Sequence, residues 1–393
     1  MVPSYYEFNN PFKVISGKNA LENIPFELKN LNAERPLLLS SARELKDPYL
    51  KKVLNSLSDF KITIGAVFTD IPPDSSLETV NKIAEVYRSS NCDSIIAVGG
   101  GKVIDTAKGV NILITQNSED LSELMGVDII TKKGVPFIAV PTTAGTGSEA
   151  TSVAVISDTS KNVKMEFISS HILPDIAVLD PRMFISLPPK LTASTGMDAL
   201  THAVEAYTCT QKNPLSDAYA FAAIKLISEY LPKAVENGSD ETVRLAMANA
   251  SLMAGTAFSN SMVGLVHAIG HACGGVCHIA HGDAMTILLP YCMEYNLDVL
   301  GEYYGELLLP LAGSLIYAKT SKETRGIKSI EYIRKMSSEF KRICNLPTRL
   351  SEVNIDKKYF EQIAKTALND GAIIMNPKEA SLEDIMSILE KAY

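Results

Sequence analysis

The 393-residue chain lacks several features that would assign it to a class at once. Its net charge is −8 at pH 7, which argues against nucleic acid and anionic membranes as partners, because both select for basic patches. No apolar run approaches the roughly 20 residues that a membrane span needs. Residues 1–10 have neither the basic start nor the apolar core of a signal peptide. We therefore expect no secretory leader and no membrane attachment.

Cysteine is also scarce, with six residues in the whole chain. They are scattered rather than spaced as the disulfide framework of a small secreted domain. We therefore expect a cytoplasmic protein whose thiols are reduced.

The length of the chain and its apolar pattern predict two domains. Up to about residue 187, short apolar runs alternate with helical patterns, such as the one at 76–88. This alternation predicts a parallel sheet with helices on both faces. Beyond Pro188–Pro189, long helical segments dominate, so we expect an α/β domain over 1–187 and an all-α domain over 188–393. The runs that we interpret as strands are residues 36–40, 62–68, 94–98 and 136–140.

Histidine is the most informative of the scarce residues, because four of the six lie between positions 267 and 281. His267 and His271 are four residues apart, so on a helix they project about 40° from each other. Asp198 and His202 form a second pair at this spacing. Two carboxylate and imidazole clusters at helical spacing indicate a metalloenzyme.

One ion can be bound by Asp198 and His202 from one helix and by His267 from a second. His281 follows His267 by 14 residues, which is about 21 Å along a straight helix. We therefore expect Gly274–Gly275 to end that helix, so that the chain can turn back and present His281. One carboxylate and three imidazoles suit Fe²⁺ or Zn²⁺ equally.

The remaining histidines and two cysteines leave alternatives open. His271 points toward the same cavity and is placed to relay a proton, although a core histidine bonded to a carbonyl group has the same pattern. No pattern fixes the direction of His278. Cys273 and Cys277, with nearby histidines, could form a closed structural zinc site, but they lack the usual Cys-x₂-Cys spacing.

Two loops are candidates for a nucleotide site. Gly99–Gly101 lie between a strand and a helix start, where glycine allows close approach and exposed amides attract phosphate. Lys102 adds a positive charge there. A tight turn between a strand and a helix is an alternative interpretation of the three glycines. The loop at 140–149 carries Thr142, Thr143 and Thr146. It could be an exposed connection, but its place after a parallel strand favours ligand binding.

Taken together, these motifs resemble the iron-containing alcohol dehydrogenase family over nearly the whole chain. The resemblance implies a Rossmann-like dinucleotide-binding domain over 1–187, followed by an all-helical metal and substrate domain over 188–393. The matching motifs are Gly-Gly-Gly-x-x-x-Asp at 99–105, Pro-Thr-Thr-Ala-Gly-Thr-Gly-Ser-Glu at 141–149, Gly-Met-Asp-Ala-Leu-Thr-His at 196–202, and Gly-Leu-Val-His-Ala-x-x-His from 264 onward to His281-Gly.

The resemblance also implies roles for individual residues. It assigns the metal to the four predicted ligands and places His271 near the nicotinamide. Lys164 matches a lysine that lies along the cofactor. The other implied contacts are Gly99, Gly100, Gly101 and Asp105 for the pyrophosphate, and Thr142, Thr143 and Thr146 around the phosphate and nicotinamide.

Two positions depart from the family pattern. Lys102 stands where serine is common. Ser41 stands where NAD-preferring members often carry an aspartate that binds the ribose 2′-hydroxyl. With Arg43 close by, the missing carboxylate would not repel a 2′-phosphate. The expected cofactor is therefore NAD or NADP.

These features predict a metal-dependent, NAD(P)-linked dehydrogenase that interconverts a small primary alcohol or diol and its aldehyde. Two alternatives on the same fold are a polyol dehydrogenase and a dehydroquinate-synthase-like lyase. A nucleotide-binding scaffold with a structural zinc is a third possibility. The family further suggests a homo-oligomer, dimeric or larger. The segment at residues 5–15 could pair across an interface or form an edge strand within the chain.

Overall fold

Short apolar runs form the strands of the first part of the chain. The structure is a computed structural model that describes residues 3–72, 75–116, 118, 120–158 and 163–393. The chain divides into two compact units. The sheet unit comprises residues 9–143 and 147–185, and the helical unit comprises residues 1–8, 144–146 and 186–393.

The larger sheet of the sheet unit has the order β1-β9-β6-β4-β2-β3, and all of its strand pairs are parallel. The chain first moves outward from β2 to β3 and then returns to the other side of β2 with β4, so its direction reverses between β2 and β4. The six strands are β1 (Lys13–Ser16), β2 (Pro36–Ser40), β3 (Ala66–Phe68), β4 (Ser94–Gly99), β6 (Phe137–Pro141) and β9 (Ile176–Leu179).

The central strands β2, β4 and β6 are buried over their whole length, as expected for parallel strands covered on both faces. On one face, Leu39, Ala97 and Phe137 share an apolar core with Val80 and Ile104 from two helices of the unit. The predicted α/β fold with a parallel sheet is thereby confirmed. The helices of this unit are α1 (Ile24–Asn30), α2 (Pro48–Ser56), α3 (Leu77–Ser89) and α4 (Gly101–Thr115).

A second, smaller sheet was not predicted. It consists of β5 (Gly126–Val127), β7 (Val153–Asp158) and β8 (Val163–Ile168), in the order β5-β8-β7. β7 and β8 are antiparallel. β7 alternates half-buried and buried side chains, which is the pattern of a strand with one covered face.

Helices make up the regular structure of the second unit, as predicted. α5 packs against α6, α7 and α9 and is buried over most of its length. The helices are α5 (Pro189–Thr208), α6 (Pro214–Glu236), α7 (Glu241–Ser259), α8 (Leu265–Cys277), α9 (His281–Tyr295), α10 (Leu297–Ala312), α11 (Ser314–Lys319), α12 (Arg325–Cys344), α13 (Phe360–Ala367) and α14 (Leu382–Ala392).

Local signals define where these helices begin. Pro189 occupies the first position of α5, where a missing amide proton costs nothing. Asn213 and Ser216 form a reciprocal capping box at the start of α6, and the Asp240 carboxylate accepts hydrogen bonds from the first amides of α7. Within the described ranges, no helix is long and apolar enough to cross a membrane.

One helix end differs from the prediction. α8 continues through Gly274–Gly275 and ends at Cys277, so the predicted stop at the two glycines is wrong. The left-handed residue that terminates α8 is His278, with φ 57°. The turn after it leads directly into α9, whose first residue is His281. The chain therefore reverses as expected, but the helix ends two residues beyond Gly275.

Candidate metal centre and nucleotide site

Four side chains from three helices meet inside the helical unit. Asp198 and His202 come from α5, His267 from α8 and His281 from the first position of α9. One ligand atom of each residue lies within 4.8 Å of those of the other three. Bonds of about 2.1 Å to one ion keep ligand atoms within about 4.2 Å of each other. Small side-chain adjustments would therefore let all four bind one metal.

Three polar atoms of this cluster lack a hydrogen-bond partner in the described part of the chain. Among the residues that the structure describes, no hydrogen bond reaches the buried atoms Asp198 Oδ1, His202 Nδ1 or His267 Nε2. Asp198 Oδ1 lies 3.2 Å from His281 Nε2 and 3.8 Å from His202 Nδ1. Buried polar atoms are nearly always satisfied, so this convergence of unsatisfied ligand atoms fits a bound cation.

The protonation of the cluster also suits a metal. Burial lowers the pKa of His202 to about 3, and burial together with the neighbouring imidazoles holds the pKa of His267 well below its ordinary value. Burial alone would raise the pKa of Asp198, but its interactions with the neighbouring imidazoles of His202 and His281 hold it below the usual value. Neutral imidazoles beside an ionised carboxylate are the forms that bind Fe²⁺ or Zn²⁺.

An aromatic side chain covers one side of the cluster. The ring of Phe258, from α7, stacks on the ring of His202 with centroids 4.4 Å apart. The ring of His202 lies 4.5 Å from that of His267. This packing restricts the imidazole rotamers and keeps one flank of the ligand set apolar.

The His267 ring has a partner on its other nitrogen that sequence reasoning missed. Glu205 Oε2 lies 2.5 Å from His267 Nδ1, and Glu205 is buried. Burial raises the pKa of this carboxyl to about 7, although hydrogen bonds from the backbone amides of Gly264 and Val266 oppose the shift. One signal in the sequence could have indicated this contact, because Glu205 follows the predicted ligand His202 by one helical turn in α5.

His271 lies beside the four-residue cluster. Its ring is 5.4 Å from the ring of His281 and 5.7 Å from that of His267. Its Nδ1 atom is 2.9 Å from Asp370 Oδ2, and Asp370 Oδ1 accepts a hydrogen bond from the Ala372 amide. The predicted position near the metal ligands is therefore observed, with a carboxylate partner rather than a carbonyl group.

The cysteines form no competing site within the described part of the chain. Groups of side chains that could hold a metal were found there, and none includes Cys273 or Cys277. Both thiols are free, and burial raises the pKa of each, which disfavours the thiolate that zinc requires. His278 terminates α8 and is not part of the four-residue cluster.

The glycine turn and the start of the threonine loop lie in the sheet unit, at the carboxyl ends of the neighbouring strands β4 and β6. Gly99 ends β4, Gly100 is the N-cap residue of α4, and Gly101 begins that helix. A Cβ atom at Gly99 would lie 2.5 Å from a methyl group of Val103. Only glycine therefore fits this turn. Lys102, in the first turn of α4, is exposed.

Two further predicted residues lie next to this turn. Thr142 follows β6 and its amide donates to the Gly99 carbonyl over 3.0 Å. A Cβ atom at Gly100 would lie 3.0 Å from Thr143 Oγ1, so the threonine loop and the glycine turn are closely packed. Thr146 belongs to the helical unit.

Ser41 follows β2, the neighbour of β4. Its hydroxyl oxygen accepts hydrogen bonds from the backbone amides of Arg43 and Glu44, at 3.2 and 3.4 Å. The loops after β2 and β4 flank the position where the chain direction reverses, which is where open α/β sheets bind ligands.

Two predicted cofactor residues have different surroundings. The Asp105 carboxylate accepts a hydrogen bond from the Ser148 hydroxyl at 2.8 Å and lies 3.4 Å from the Val155 amide. It therefore ties α4 to the segment that follows the threonine loop. Lys164 lies in the smaller sheet, paired with Ser157 in β7, and is exposed.

Sequence reasoning also missed a buried lysine in α4. Lys108 is fully buried, and its Nζ atom donates to the carbonyl groups of Thr151 and Val153 and to the Thr151 hydroxyl, at 2.7–2.8 Å. Burial lowers its pKa to about 8, while the carboxylates of Asp105 and Glu149 act in the opposite direction.

Comparison with known proteins identifies the family. The protein-family model described as "Iron-containing alcohol dehydrogenase" matches residues 11–181. The model described as "Fe-containing alcohol dehydrogenase family, C-terminal" matches residues 192–393. The chain belongs to the iron-containing alcohol dehydrogenase family. The predicted resemblance is thereby confirmed.

Relatives in this family match the chain end to end. An NAD-dependent methanol dehydrogenase of Bacillus methanolicus is 35% identical over 98% of this chain and 99% of its own. An NADPH-dependent butanol dehydrogenase of Clostridium saccharobutylicum is 34% identical over 98% and 97%. A crystal structure of 1,3-propanediol oxidoreductase superposes with a TM-score of 0.94, at 34% identity, over 99% of this chain and 100% of that one.

Proposed function

We propose that this member of the iron-containing alcohol dehydrogenase family uses Asp198, His202, His267 and His281 to hold one Fe²⁺ or Zn²⁺. The observation that carries this proposal is the convergence of three buried ligand atoms that have no hydrogen-bond partner among the described residues. When bound, the metal supplies a Lewis acid for the substrate oxygen, and NAD or NADP supplies the hydride acceptor or donor.

The substrate is a small primary alcohol or diol that is interconverted with its aldehyde. The side chains that flank the ligand segments are mostly apolar, as in Phe258, which stacks on His202. Such walls favour a short, weakly polar substrate. A dehydroquinate-synthase-like lyase would need basic side chains for a phosphorylated substrate, and the ligand segments contain none besides histidine.

His271 moves the proton that alcohol oxidation releases. Its Nδ1 atom is held by Asp370 at 2.9 Å, so a proton can be exchanged at Nε2. The Asp370 carboxylate stabilises the imidazolium form that this transfer produces. In the reducing direction, the same imidazole returns a proton to the product oxygen.

The dinucleotide is bound by side chains and amides of residues 1–187. The amides at Gly99–Gly101 and the charge of Lys102 take the pyrophosphate, with Asp105 holding the neighbouring loop. The threonines Thr142, Thr143 and Thr146 and the lysine Lys164 contact the rest of the cofactor. Ser41 offers a hydroxyl rather than a carboxylate at the ribose, so we propose that both NAD and NADP are accepted. Relatives named for each cofactor support this proposal.

Residues 1–187 bind the cofactor, and residues 188–393 bind the metal and the substrate, in line with the predicted domains.

We further propose a cytoplasmic homo-oligomer, dimeric or larger. Six free cysteines suit a reducing compartment. β1 pairs with β9 at the edge of the larger sheet, and an edge strand can pair with a second copy.

A spectrophotometric assay at about 340 nm tests the reaction. Anaerobic protein is loaded with Fe²⁺ or Zn²⁺ and offered NADH or NADPH with C2–C4 aldehydes and hydroxyaldehydes. We expect cofactor oxidation that requires the metal and the aldehyde together. Absence of turnover with every pair, despite bound metal and nucleotide, would contradict the proposal.

A further inference from the structure

We propose that Glu205 is a positioning residue that selects the metal-binding tautomer of His267; this inference rests on the proposed metal site. Glu205 lies in α5 and His267 in α8, 62 residues further along the chain. The Glu205 Oε2 atom is 2.5 Å from His267 Nδ1, and the two side chains are only 7% and 2% exposed. No other assigned role accounts for this buried contact.

The second oxygen of Glu205 is also occupied. Oε1 accepts a hydrogen bond from the Val266 amide at 2.7 Å. A Cβ atom at Gly264 would lie 3.3 Å from Oε1, so the glycine allows the carboxylate to fit against the start of α8. The carboxylate is therefore held on both oxygens by consecutive groups of the helix that carries His267.

This arrangement fixes where the imidazole carries its proton. In its ionised form the Glu205 carboxylate only accepts hydrogen bonds, so Nδ1 of His267 is then the donor. The lone pair of the neutral ring is then on Nε2, the atom that turns toward Asp198 and His202 without a hydrogen-bond partner among the described residues. Outer carboxylates that orient a ligating histidine in this way commonly strengthen metal binding.

Glu205 is kept away from substrate by its surroundings. It lines a cavity of about 10 Å³ together with Thr208, Asn296, Tyr304 and Asn376. This space is about the size needed for one water molecule and is too small for an alcohol. The role of Glu205 is therefore exerted through His267 and not by contact with the reacting atoms.

A Glu205→Gln substitution keeps the shape of the side chain but removes one acceptor. Its single carbonyl oxygen can accept from the Val266 amide or from His267 Nδ1, but not from both in the observed geometry. If this oxygen keeps accepting from the Val266 amide, the side-chain NH₂ group faces His267 Nδ1. It then favours the tautomer with the proton on Nε2, and a protonated Nε2 cannot bind the metal. We expect Zn²⁺ to bind about 10–100-fold more weakly.

The experiment uses full-length, metal-free protein and a Zn²⁺ titration against a chromophoric chelator. Thr208→Val is the matched control, because Thr208 lines the same cavity one turn along α5 and its hydroxyl donates to the Val204 carbonyl. Wild type and Thr208→Val should bind one Zn²⁺ with affinities within about threefold, while Glu205→Gln is weaker. Equal affinity of Glu205→Gln and wild type would overturn the inference.

A second measurement does not depend on the variant's folding. Only six histidines are present, so long-range ¹H–¹⁵N spectra of ¹⁵N-histidine-labelled wild type can resolve the tautomer of each ring. The His267 signal is assigned by its loss in His267→Ala. A proton on Nδ1 supports the inference, and a proton on Nε2 refutes it. If wild type itself binds no Zn²⁺, or His267→Ala binds it equally well, the proposed metal site fails instead.

Discussion

Two buried clusters of titratable side chains, one in each unit, differ in how their polar atoms are satisfied. In the sheet unit, all three hydrogen bonds of Lys108 end on groups of Thr151 and Val153. In the helical unit, ligand atoms of Asp198, His202 and His267 have no hydrogen-bond partner among the described residues.

The difference separates a structural cluster from a binding cluster. Burying a polar atom without a partner costs roughly 1–3 kcal/mol. A fold that buries three such atoms together therefore implies a stabilising interaction that offsets this cost. We propose that a bound metal ion offsets this cost in the helical unit. Lys108 needs no ligand, because its partners are provided by the chain itself. Burial of charge alone therefore does not identify a site, whereas convergent unsatisfied ligand atoms do.

The largest effect should follow from removing a ligand. We expect His267→Ala to lose nearly all bound metal and to reduce turnover by at least about 10³-fold, since the substrate oxygen loses its Lewis acid. Metal content is measured by mass spectrometry and turnover by NAD(P)H absorbance. His278→Ala is the control, because His278 is not part of the cluster. Full metal content and activity in His267→Ala would refute the site.

The sheet-unit cluster should respond in stability rather than in metal content. Lys108→Met removes three buried hydrogen bonds, two of them to backbone carbonyl groups. We expect the free energy of unfolding to fall by about 3 kcal/mol, measured by urea denaturation, with one metal still bound per chain.

Lys102→Met provides the matched control for Lys108→Met. Lys102 lies in the same helix but is exposed, so its replacement should change the unfolding free energy by no more than about 0.5 kcal/mol. Loss of metal in Lys108→Met, or an equal loss of stability in both variants, would contradict the distinction between the two clusters.

Within the helical unit, Asp370 allows proton transfer to be tested separately from metal binding. Its carboxylate contacts His271, which is not one of the proposed metal ligands. Asp370→Asn removes the charge that stabilises the imidazolium form, so we expect kcat to fall by about 10–100-fold with an altered pH profile. The metal content should stay at the wild-type level. Asn369→Ala, in the adjacent exposed position, is the control. A fall in metal content as large as the fall in kcat would count against a proton-transfer role.

The smallest effect concerns pH and the metal-free protein. Burial lowers the pKa of His202 to about 3, whereas an unfolded histidine titrates near about 6.5. Between these values the unfolded chain binds a proton that the folded chain does not, so this group makes folding less favourable as the pH falls. His202→Gln lacks this titration.

We therefore expect the stability gap between metal-free wild type and His202→Gln to change by about 1 kcal/mol from pH 7.5 to pH 5.5, with wild type losing more on acidification. Urea denaturation at the two pH values measures the gap. A gap that does not depend on pH would contradict a neutral, buried His202.

The sequence predicted the elements whose signals are local. Apolar runs such as 36–40 became buried strands, and the spacing of Asp198 and His202 placed both on one helix, where the structure finds them together. The smaller sheet was missed because β7 is covered on one face only and β8 alternates apolar residues with the charged residues Lys164 and Glu166. The end of α8 was misplaced because two glycines were tolerated in the helix and His278 took the left-handed position.

Partners that are distant in sequence could not be predicted. Glu205 and His267 are separated by 62 residues, and His271 and Asp370 by 99. No periodic pattern connects such residues, since their contact depends on how α5, α8 and the segment after α13 pack. The candidate metal ligands were therefore accessible from sequence, but the carboxylates that contact the imidazoles required the three-dimensional structure.

The most direct test of the central claim is an anomalous-scattering map from crystals of protein loaded with Fe²⁺. The account predicts one strong peak, about 2.0–2.3 Å from an atom of each of Asp198, His202, His267 and His281. A peak beside Cys273 and Cys277, or the absence of a peak at the four-residue cluster in fully loaded protein, would contradict it.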